Sequence, residues 1–256
     1  MPNPVINFVW VGPPKLTEGG QDVCGPESIA LNFKEFADES TQNPMVFWCQ
    51  KQYKSVYEAY FLEKGIDIQV SPIDDYLQNR SEKCSNNCEE EAKVVLKHYT
   101  EEILDNRRAQ TSDYVGMKDM FFNFLLATQG GYVLDTNIQA IGSIPVQLSA
   151  RDQFSFPILE LNTPGRSDRT TYEVWMQYAP ADNLVQPKKC LAAYLKHLEM
   201  HPRAKIGIRA VHALFVCEQD LSTPWMLIHD DSANVVIQSM GIVKEYCNTH
   251  TDVCRI

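Results

Sequence analysis

Short apolar runs alternate with stretches of helical periodicity over the first 70 residues. VINFVWVG (5–12) is β-branched and aromatic, then stops at Gly12-Pro13-Pro14, which predicts a buried first strand with a hard stop. ESIALNFKEFADES (27–40) sets Ile29, Phe33 and Phe36 on one helical face. MVFWCQ (45–50) predicts a second buried strand, KSVYEAYFLEKG (54–65) a helix stopped by Gly65, and the alternating IDIQV (66–70) a third strand. Strand, helix, strand, helix, strand in this order implies an α/β domain with a mainly parallel central sheet flanked by helices.

From 71 to about 110 the rhythm breaks: SEKCSNNCEEEAKVVLKHYTEEILDNRR (81–108) reads as a polar loop followed by a charged amphipathic helix, a helical insertion at the edge of the sheet. SDYVGMKDMFFNFLLATQGG (112–131) has capping residues at Ser112 and Asp113, becomes apolar nearly all round, and ends at Gly130-Gly131. YVLD (132–135) follows as a strand that delivers Asp135. The second half is less regular. QFSFPILEL (153–161) and IGIRAVHALFVC (206–217) read as strands, KKCLAAYLKHLEMH (188–201) as a helix, and WMLIHDDSANVVIQ (225–238) as a hairpin. Without repeats or long linkers, one domain over 1–256 is expected, regular over 5–140 and looser over 141–256.

Composition narrows the class. Across 256 residues, 44% hydrophobic and 22% charged is the balance of a water-soluble globular protein. The net charge of −10 argues against a nucleic-acid scaffold, though a local basic pocket for one nucleotide is compatible with it. Of eight cysteines, Cys24, Cys49, Cys190 and Cys217 are scattered singly, and Cys84 and Cys88 form a close pair with no second pair of zinc-site spacing. Cys247 and Cys254 flank His250, a weak metal signal, and the set reads as reduced, mostly structural thiols. The start, MPNPVINFVWVGPP, lacks a basic opening and a small-residue cleavage site, and no apolar run approaches the roughly 20 residues of a membrane span. The expected location is a cytoplasm, not necessarily that of the cell that made the protein.

The chemistry gathers at GGYVLDTNIQ (130–139). In parallel α/β sheets ligands sit outside the carboxyl ends of strands, and Asp135 is predicted at such an end. Oxygen donors two residues apart on this turn suit a hard divalent cation that also grips a diphosphate. The bland alternative is an aspartate satisfying its own backbone in a turn. Elsewhere, Gly19-Gly20 lacks phosphate-loop spacing, no Ser-His-Asp or Cys-His set has local support, and no basic aromatic stripe suggests single-stranded nucleic acid.

The stretch from Lys118 to Asn137 resembles the sugar-binding signature of bacterial toxin and effector glycosyltransferases of the glycosyltransferase-A fold: serine-aspartate, an arginine three residues on, an apolar helix, Gly-Gly, then a strand and Asp-x-Asp. Asp119 stands eleven residues before Gly130, the family spacing, and GGYVLD is similar to the Gly-Gly-strand-aspartate step. VINFVWVGPP resembles the family's opening strand, NPMVFWCQ its second strand, and YAPADNLVQPKKCLAAYL, more weakly, a later helix start. The resemblance covers most of 5–140 in order and thins afterwards, which implies a nucleotide-sugar-binding half (5–140) and an acceptor-side half (141–256).

By that resemblance Trp10 would stack on or edge the donor base, Val9 would offer it backbone groups, and Asp119 would accept hydrogen bonds from the donor sugar. Asp135 would orient ribose, sugar or metal, and Asn137 would hold the principal position on Mn²⁺ or Mg²⁺. The residues also admit other readings: Trp10 as a core aromatic, and Asp119 as a solvated helix turn. Two departures stand out. Asn137 replaces the family's second aspartate and weakens a cation site; Phe122 replaces the arginine, for which Lys118, Arg107 or Arg108 would have to compensate. Ser112-Asp113 lies too far from Gly130 to be the serine-aspartate pair and reads as a helix cap. A further metal ligand would come from His229, Asp230, Asp231 and Ser232, with Asp231 preferred, or from Asn248, His250 and Asp252; a plain hairpin turn also explains the first cluster.

The function the resemblance implies is transfer of a sugar from a nucleotide-sugar, a UDP-sugar, to an acceptor hydroxyl on a protein. The partners implied are the donor and that acceptor, with no nucleic acid and no transmembrane segment. Family habit implies retention at the anomeric carbon and an effector or toxin acting inside another cell. Two other functions stay open: a glycosyltransferase-like module that binds without turnover, to which Asn137 and Phe122 point, and a nucleotide-sugar hydrolase.

Overall fold

A computed structural model describes residues 3–14, 29, 43–83, 89–136, 138–140, 148, 150–161, 169–172, 175–200, 225–229, 235–237 and 242–244. In chain order the strands are β1 (Ile6–Val9), β2 (Met45–Cys49), β3 (Gln69–Pro72), β4 (Gly131–Leu134), β5 (Ile138–Ala140), β6 (Pro157–Leu161), β7 (Arg169–Tyr172), β8 (Met176–Ala179), β9 (Trp225–His229), β10 (Val235–Ile237) and β11 (Ile242–Lys244). The helices are α1 (Lys54–Glu63), α2 (Ile73–Lys83), α3 (Glu89–Tyr99), α4 (Thr111–Thr128) and α5 (Val185–Met200).

A five-stranded sheet in the order β3-β2-β1-β4-β8 carries the core; β3, β2, β1 and β4 are parallel and β8 runs antiparallel on the edge. The described strands of the second half mostly join a six-stranded sheet, β5-β11-β10-β9-β6-β7. β1 and β4 are buried along their whole length because they lie inside the sheet and are covered on both faces, so their sequences read as continuous apolar runs rather than alternation. Phe47 of β2 packs on Tyr57 and Phe61 of α1, with ring centroids 4.7 and 5.1 Å apart. Trp48 sits edge-on to Tyr76 of α2 and Phe121 of α4.

One polar side chain lies at the centre of this apolar layer. Asn7 of β1 is fully buried; its amide donates to the Tyr132 carbonyl at 2.9 Å, and its oxygen accepts from the Trp48 indole at 2.9 Å and from Gln129 at 3.1 Å. An unpaired amide here would be costly, and a slip of β1 against either neighbour would leave it so. Asn7 therefore locks β1 to β2, to β4 and to the end of α4.

The turn from α4 into β4 depends on two glycines. Gly130 and Gly131 have φ of 71° and 87°, in the left-handed region. A Cβ on Gly130 would stand 2.8 Å from the Ala179 carbonyl oxygen, and one on Gly131 would stand 2.6 Å from that of Val5. The Val5 carbonyl is also the acceptor for the Tyr132 N–H at 2.8 Å, so it cannot retreat without breaking the first rung between the strands.

Sequence and structure part company in several places. The third strand begins at Gln69 rather than Ile66, because the Ile66 N–H closes the end of α1 on the Phe61 carbonyl at 2.9 Å. Residues Ile73–Lys83, which carry no clear pattern, form α2, whose Leu77 is fully buried. Of the polar loop expected from Ser81, residues 81–83 end this helix and 84–88 lie outside the described residues. The charged helix that follows, α3, packs beside α2, and its Tyr99 hydroxyl donates to Asp74 at 3.2 Å. α4 is capped from Gln110, whose N–H donates to the Asp113 carboxylate at 2.8 Å; Ser112 lies inside the first turn. β5, β7, β8 and β11 are only three or four residues long, too short for a pattern to single out, and each pairs with a neighbouring strand. The helix expected at 27–40, apart from buried Ile29, and the strand expected at 206–217 lie outside the described residues.

Gly131→Ala is expected to cost on the order of 3 kcal/mol, the left-handed penalty plus overpacking against Val5. Gly65→Ala, where an added carbon meets nothing within 4 Å, should lose only the left-handed penalty, about 1–2 kcal/mol. Urea unfolding of the two variants checks the difference. Cys49 and Cys190 are buried thiols outside any disulfide, and burial pushes both up to about 12. Iodoacetamide at pH 8 should leave both unmodified until the protein is unfolded, as mass spectrometry would record.

Candidate active site

β1 has β2 on one side and β4 on the other, so the chain order reverses across it. That is the switch point of an open parallel sheet, where a crevice opens beyond the carboxyl ends of the strands. The register pairs Phe8 with Leu134. Carried one step further, Val9-Trp10 and Asp135-Thr136 leave the sheet side by side, on strands roughly 4.8 Å apart. Outer strands pin both exits: the Trp10 N–H donates to the Trp48 carbonyl at 2.9 Å, and the Asp135 N–H to the Trp175 carbonyl at 2.7 Å.

Trp10 is half-buried, packed against the core on one side, and its indole N–H bonds back to the Pro13 carbonyl at 3.0 Å. The turn it closes lies flat on α4. Gly12, at φ 119°, donates to the buried Gln50 side chain at 2.9 Å, and a Cβ there would come within 3.3 Å of the Tyr114 ring. Only glycine suits both the backbone and the ring beneath. Trp10 is thus neither a fully buried core aromatic nor a loose surface one.

The spacing around Gly130 has a geometric basis. Lys118 lies twelve residues before Gly130 on a helix and Asp135 five after it on a strand. At about 1.5 Å per helical residue and about 3.3 Å per strand residue, those paths cover roughly 18 and 16 Å, which returns the chain to the same height. There the Lys118 ammonium forms an ion pair and hydrogen bond with Asp135 Oδ1, and it lies 3.3 Å from Asp119 Oδ1. It also sits 5.1 Å from the centroid of the Phe122 ring, one helical turn along. All three ionic side chains are mostly buried, exposing 20% for Lys118 and 14% for each aspartate. Burial alone would pull the lysine's pKa down; Asp135 and then Asp119 outweigh it, and the net shift is upward, so the ammonium stays charged. Burial and the nearby Asp119 carboxylate also hold the Tyr194 phenol of α5 above its ordinary range.

The structure brings together Val9, Trp10, Asp119 and Asp135 at the carboxyl edge of the sheet. The Val9 side chain is buried in the core, leaving only its backbone for a ligand. Asp119 is neither a solvated turn nor an isolated acid, and Asp135 does not face bulk solvent. Phe122, at the family's arginine position, is fully buried and serves as the floor beneath Lys118, while Arg107 and Arg108 are exposed in the turn before α4. Asn137, Asp230, Asp231, Ser232, Asn248, His250 and Asp252 lie outside the described residues, and His229 is described only as the last residue of β9. Among the described residues no three His, Cys, Asp or Glu side chains form a cation-binding group, and Asp135 is already neutralised by Lys118. The described residues therefore do not by themselves suit a divalent cation. Sequence reasoning missed Tyr114, Gln50 and the Trp175 carbonyl; the only signals were a tyrosine one turn before Lys118 and a glutamine directly after a buried strand.

The mixed α/β fold, with its mostly parallel five-stranded sheet, is one shared with a glycosyltransferase of known structure. Among solved structures, the PaToxG glycosyltransferase superposes with a TM-score of 0.57 at 11% identity, over 85% of this chain and 69% of that one. The ligand-free glycosyltransferase domain of the YGT toxin superposes more loosely, with a TM-score of 0.47 at 10% identity, over 85% and 67% of the two chains. In sequence, no protein-family model and no curated protein matches the chain. No helix among the described residues is long and apolar enough to cross a membrane.

Lys118→Met strands two neighbouring carboxylates and should destabilise the fold by about 2 kcal/mol, less than a fully buried pair because water reaches part of it. The sign with pH follows from the raised lysine. Its contribution is complete below the unfolded-state value of about 10.4 and is lost as pH rises through the higher folded value. Urea melts of wild type and variant at pH 7 to 11 should therefore differ by a constant amount up to about pH 10 and only begin to draw together at the most alkaline point.

Proposed function

We propose that this protein is a glycosyltransferase that takes a sugar from a nucleotide-sugar, a UDP-sugar, and passes it to an acceptor hydroxyl on a protein. The observation that carries the proposal is the side-by-side exit of Trp10 and Asp135 at the switch point, with Asp119 joined to Asp135 through Lys118. In this reading the base lies against the exposed part of the Trp10 indole, near Val9. The diphosphate lies toward Asp135, and the sugar hydroxyls donate to Asp119. The bond from the anomeric carbon to the phosphate oxygen breaks, its electron pair leaves on the nucleoside diphosphate, and the acceptor oxygen forms the new bond as its proton departs. The protein's part is to orient donor and acceptor and to stabilise the departing negative charge. The likeness in fold to the PaToxG glycosyltransferase supports the reaction class. As the sequence resemblance implies, we further propose an effector or toxin acting in a host cytoplasm.

Divalent-metal assistance belongs to this proposal only in a weak form. Mn²⁺ or Mg²⁺ would enter at Asp135, Asn137 and Asp231, and only by displacing Lys118 from Asp135. A second reading, a binding module without turnover, is favoured by Phe122, which supplies no cation where the family has one.

Isothermal titration with UDP-sugars should give measurable binding. Trp10→Ala is expected to weaken it by roughly 5- to 150-fold, the range of one base–aromatic stack, and Asp135→Ala to remove it. Release of free sugar from a bound donor, with and without acceptor protein, separates transfer, hydrolysis and silent binding. No binding of any nucleotide-sugar to folded wild-type protein would sink the proposal.

A further inference from the structure

This inference rests on the donor-site reading above and asks what carries positive charge there. The sequence has lost two of the family's electrostatic parts, an aspartate at Asn137 and an arginine at Phe122. The structure supplies one cation where both changes bear. Lys118 reaches from α4 to the lip of β4, contacts Asp135, lies 3.3 Å from Asp119, and rests above the Phe122 ring. The arginine-to-phenylalanine change and the lysine thus belong together: the ring gives the ammonium an apolar floor and a favourable π face, which an arginine at 122 would replace with a like charge. The neutral Asn137 fits the same arrangement, since a second carboxylate in the motif would restore the demand for a divalent ion.

We propose that Lys118 is the resident cation of this site, taking over at Asp135 the role of a divalent metal and donating to the donor's diphosphate, so that a nucleoside diphosphate binds without added metal. An ammonium has three N–H donors and no acceptor. Asp135 and Asp119 orient two of them, and the third is the one directed to a phosphate oxygen. A free divalent ion approaching Asp135 would meet a carboxylate already neutralised, with a fixed positive charge beside it. The two carboxylates in turn keep Lys118 from collapsing into the core, which makes them positioning residues for the lysine as well as sugar contacts. The arrangement also predicts its own reversal. Without the lysine, Asp119 and Asp135 lose the cation they share, and two neighbouring carboxylates make a better site for Mn²⁺ than the native protein offers.

The test is calorimetry with UDP in EDTA and in Mn²⁺, alongside electron paramagnetic resonance of Mn²⁺ with nucleotide-free protein. For wild type the expected dissociation constants for UDP agree within threefold in the two buffers, and nucleotide-free protein leaves Mn²⁺ unbound. Lys118→Met should weaken UDP binding in EDTA at least tenfold, recover much of it in Mn²⁺, and bind Mn²⁺ alone at least tenfold more tightly than wild type. Lys118→Arg should retain metal-free binding. Wild-type UDP binding that is tenfold or more weaker in EDTA, or a folded Lys118→Met that binds UDP in EDTA as wild type does, overturns the role of Lys118 and leaves the donor site standing. If Lys118→Met gives no cooperative melt, the wild-type and Lys118→Arg measurements decide alone: metal-dependent UDP binding by wild type, or its loss in a folded Lys118→Arg, overturns the proposal. Wild-type protein that binds UDP in neither buffer removes the donor-site reading and this one with it.

Discussion

The close approach of β1 to β4 governs the rest of this molecule. Where the two strands begin to pair, the Val5 carbonyl comes so near Gly131 that no side chain fits between them. One residue pair beyond the first rung, Asn7 fixes the same register with its buried amide. A β-pair slipped by one residue would turn every apolar side chain to the opposite face and strand that amide. With the register set at this end, the other end is set too, and it is there that Trp10 and Asp135 emerge together.

The helix in front of β4 turns that geometry into electrostatics. α4 is buried along most of its length, and a buried helix tolerates charge only where a partner waits. Lys118 finds Asp135 across the crevice and Asp119 beside it, and the lysine stays charged although burial works against it. The phenyl ring of Phe122 lies beneath the ammonium. The site is thus a small ionic cluster set into the apolar contact between a helix and a strand, and its charges depend on one another for their place. Such a cluster specifies geometry more than it adds stability, because desolvating the ions offsets much of their attraction.

On the other side of the crevice the constraint is steric rather than ionic. Gly12 lies against Tyr114, and Gln50 receives its N–H, so the turn after β1 has one conformation in which the Trp10 indole can bond to Pro13. The indole is fixed by its own short loop, and the acids are fixed by α4. Both fixings lead back to α4, through Tyr114 and through Lys118 one helical turn later.

The alternation of apolar runs and helical periods in residues 5–65 determined the parallel layering, and the Gly-Gly after a continuous apolar helix determined where the chain must turn and deliver Asp135. Those features are local: left-handed backbone, burial on both faces and capping are written into a few adjacent residues each. Even the distance from Lys118 to Asp135 along the chain was legible, since it follows from the different rise of helix and strand. Tertiary structure alone decided the rest. The strands β5, β7, β8 and β11 are too short to be picked out alone and are placed by the neighbours they pair with, and α2 forms because Leu77 and its surroundings find a core that a polar stretch does not advertise. That Lys118 faces inward to join two carboxylates, where a surface helix would turn it to water, depends on what lies across from α4. No pattern within α4 carries that information, because an ion pair between residues 17 apart is a property of two elements and the space between them.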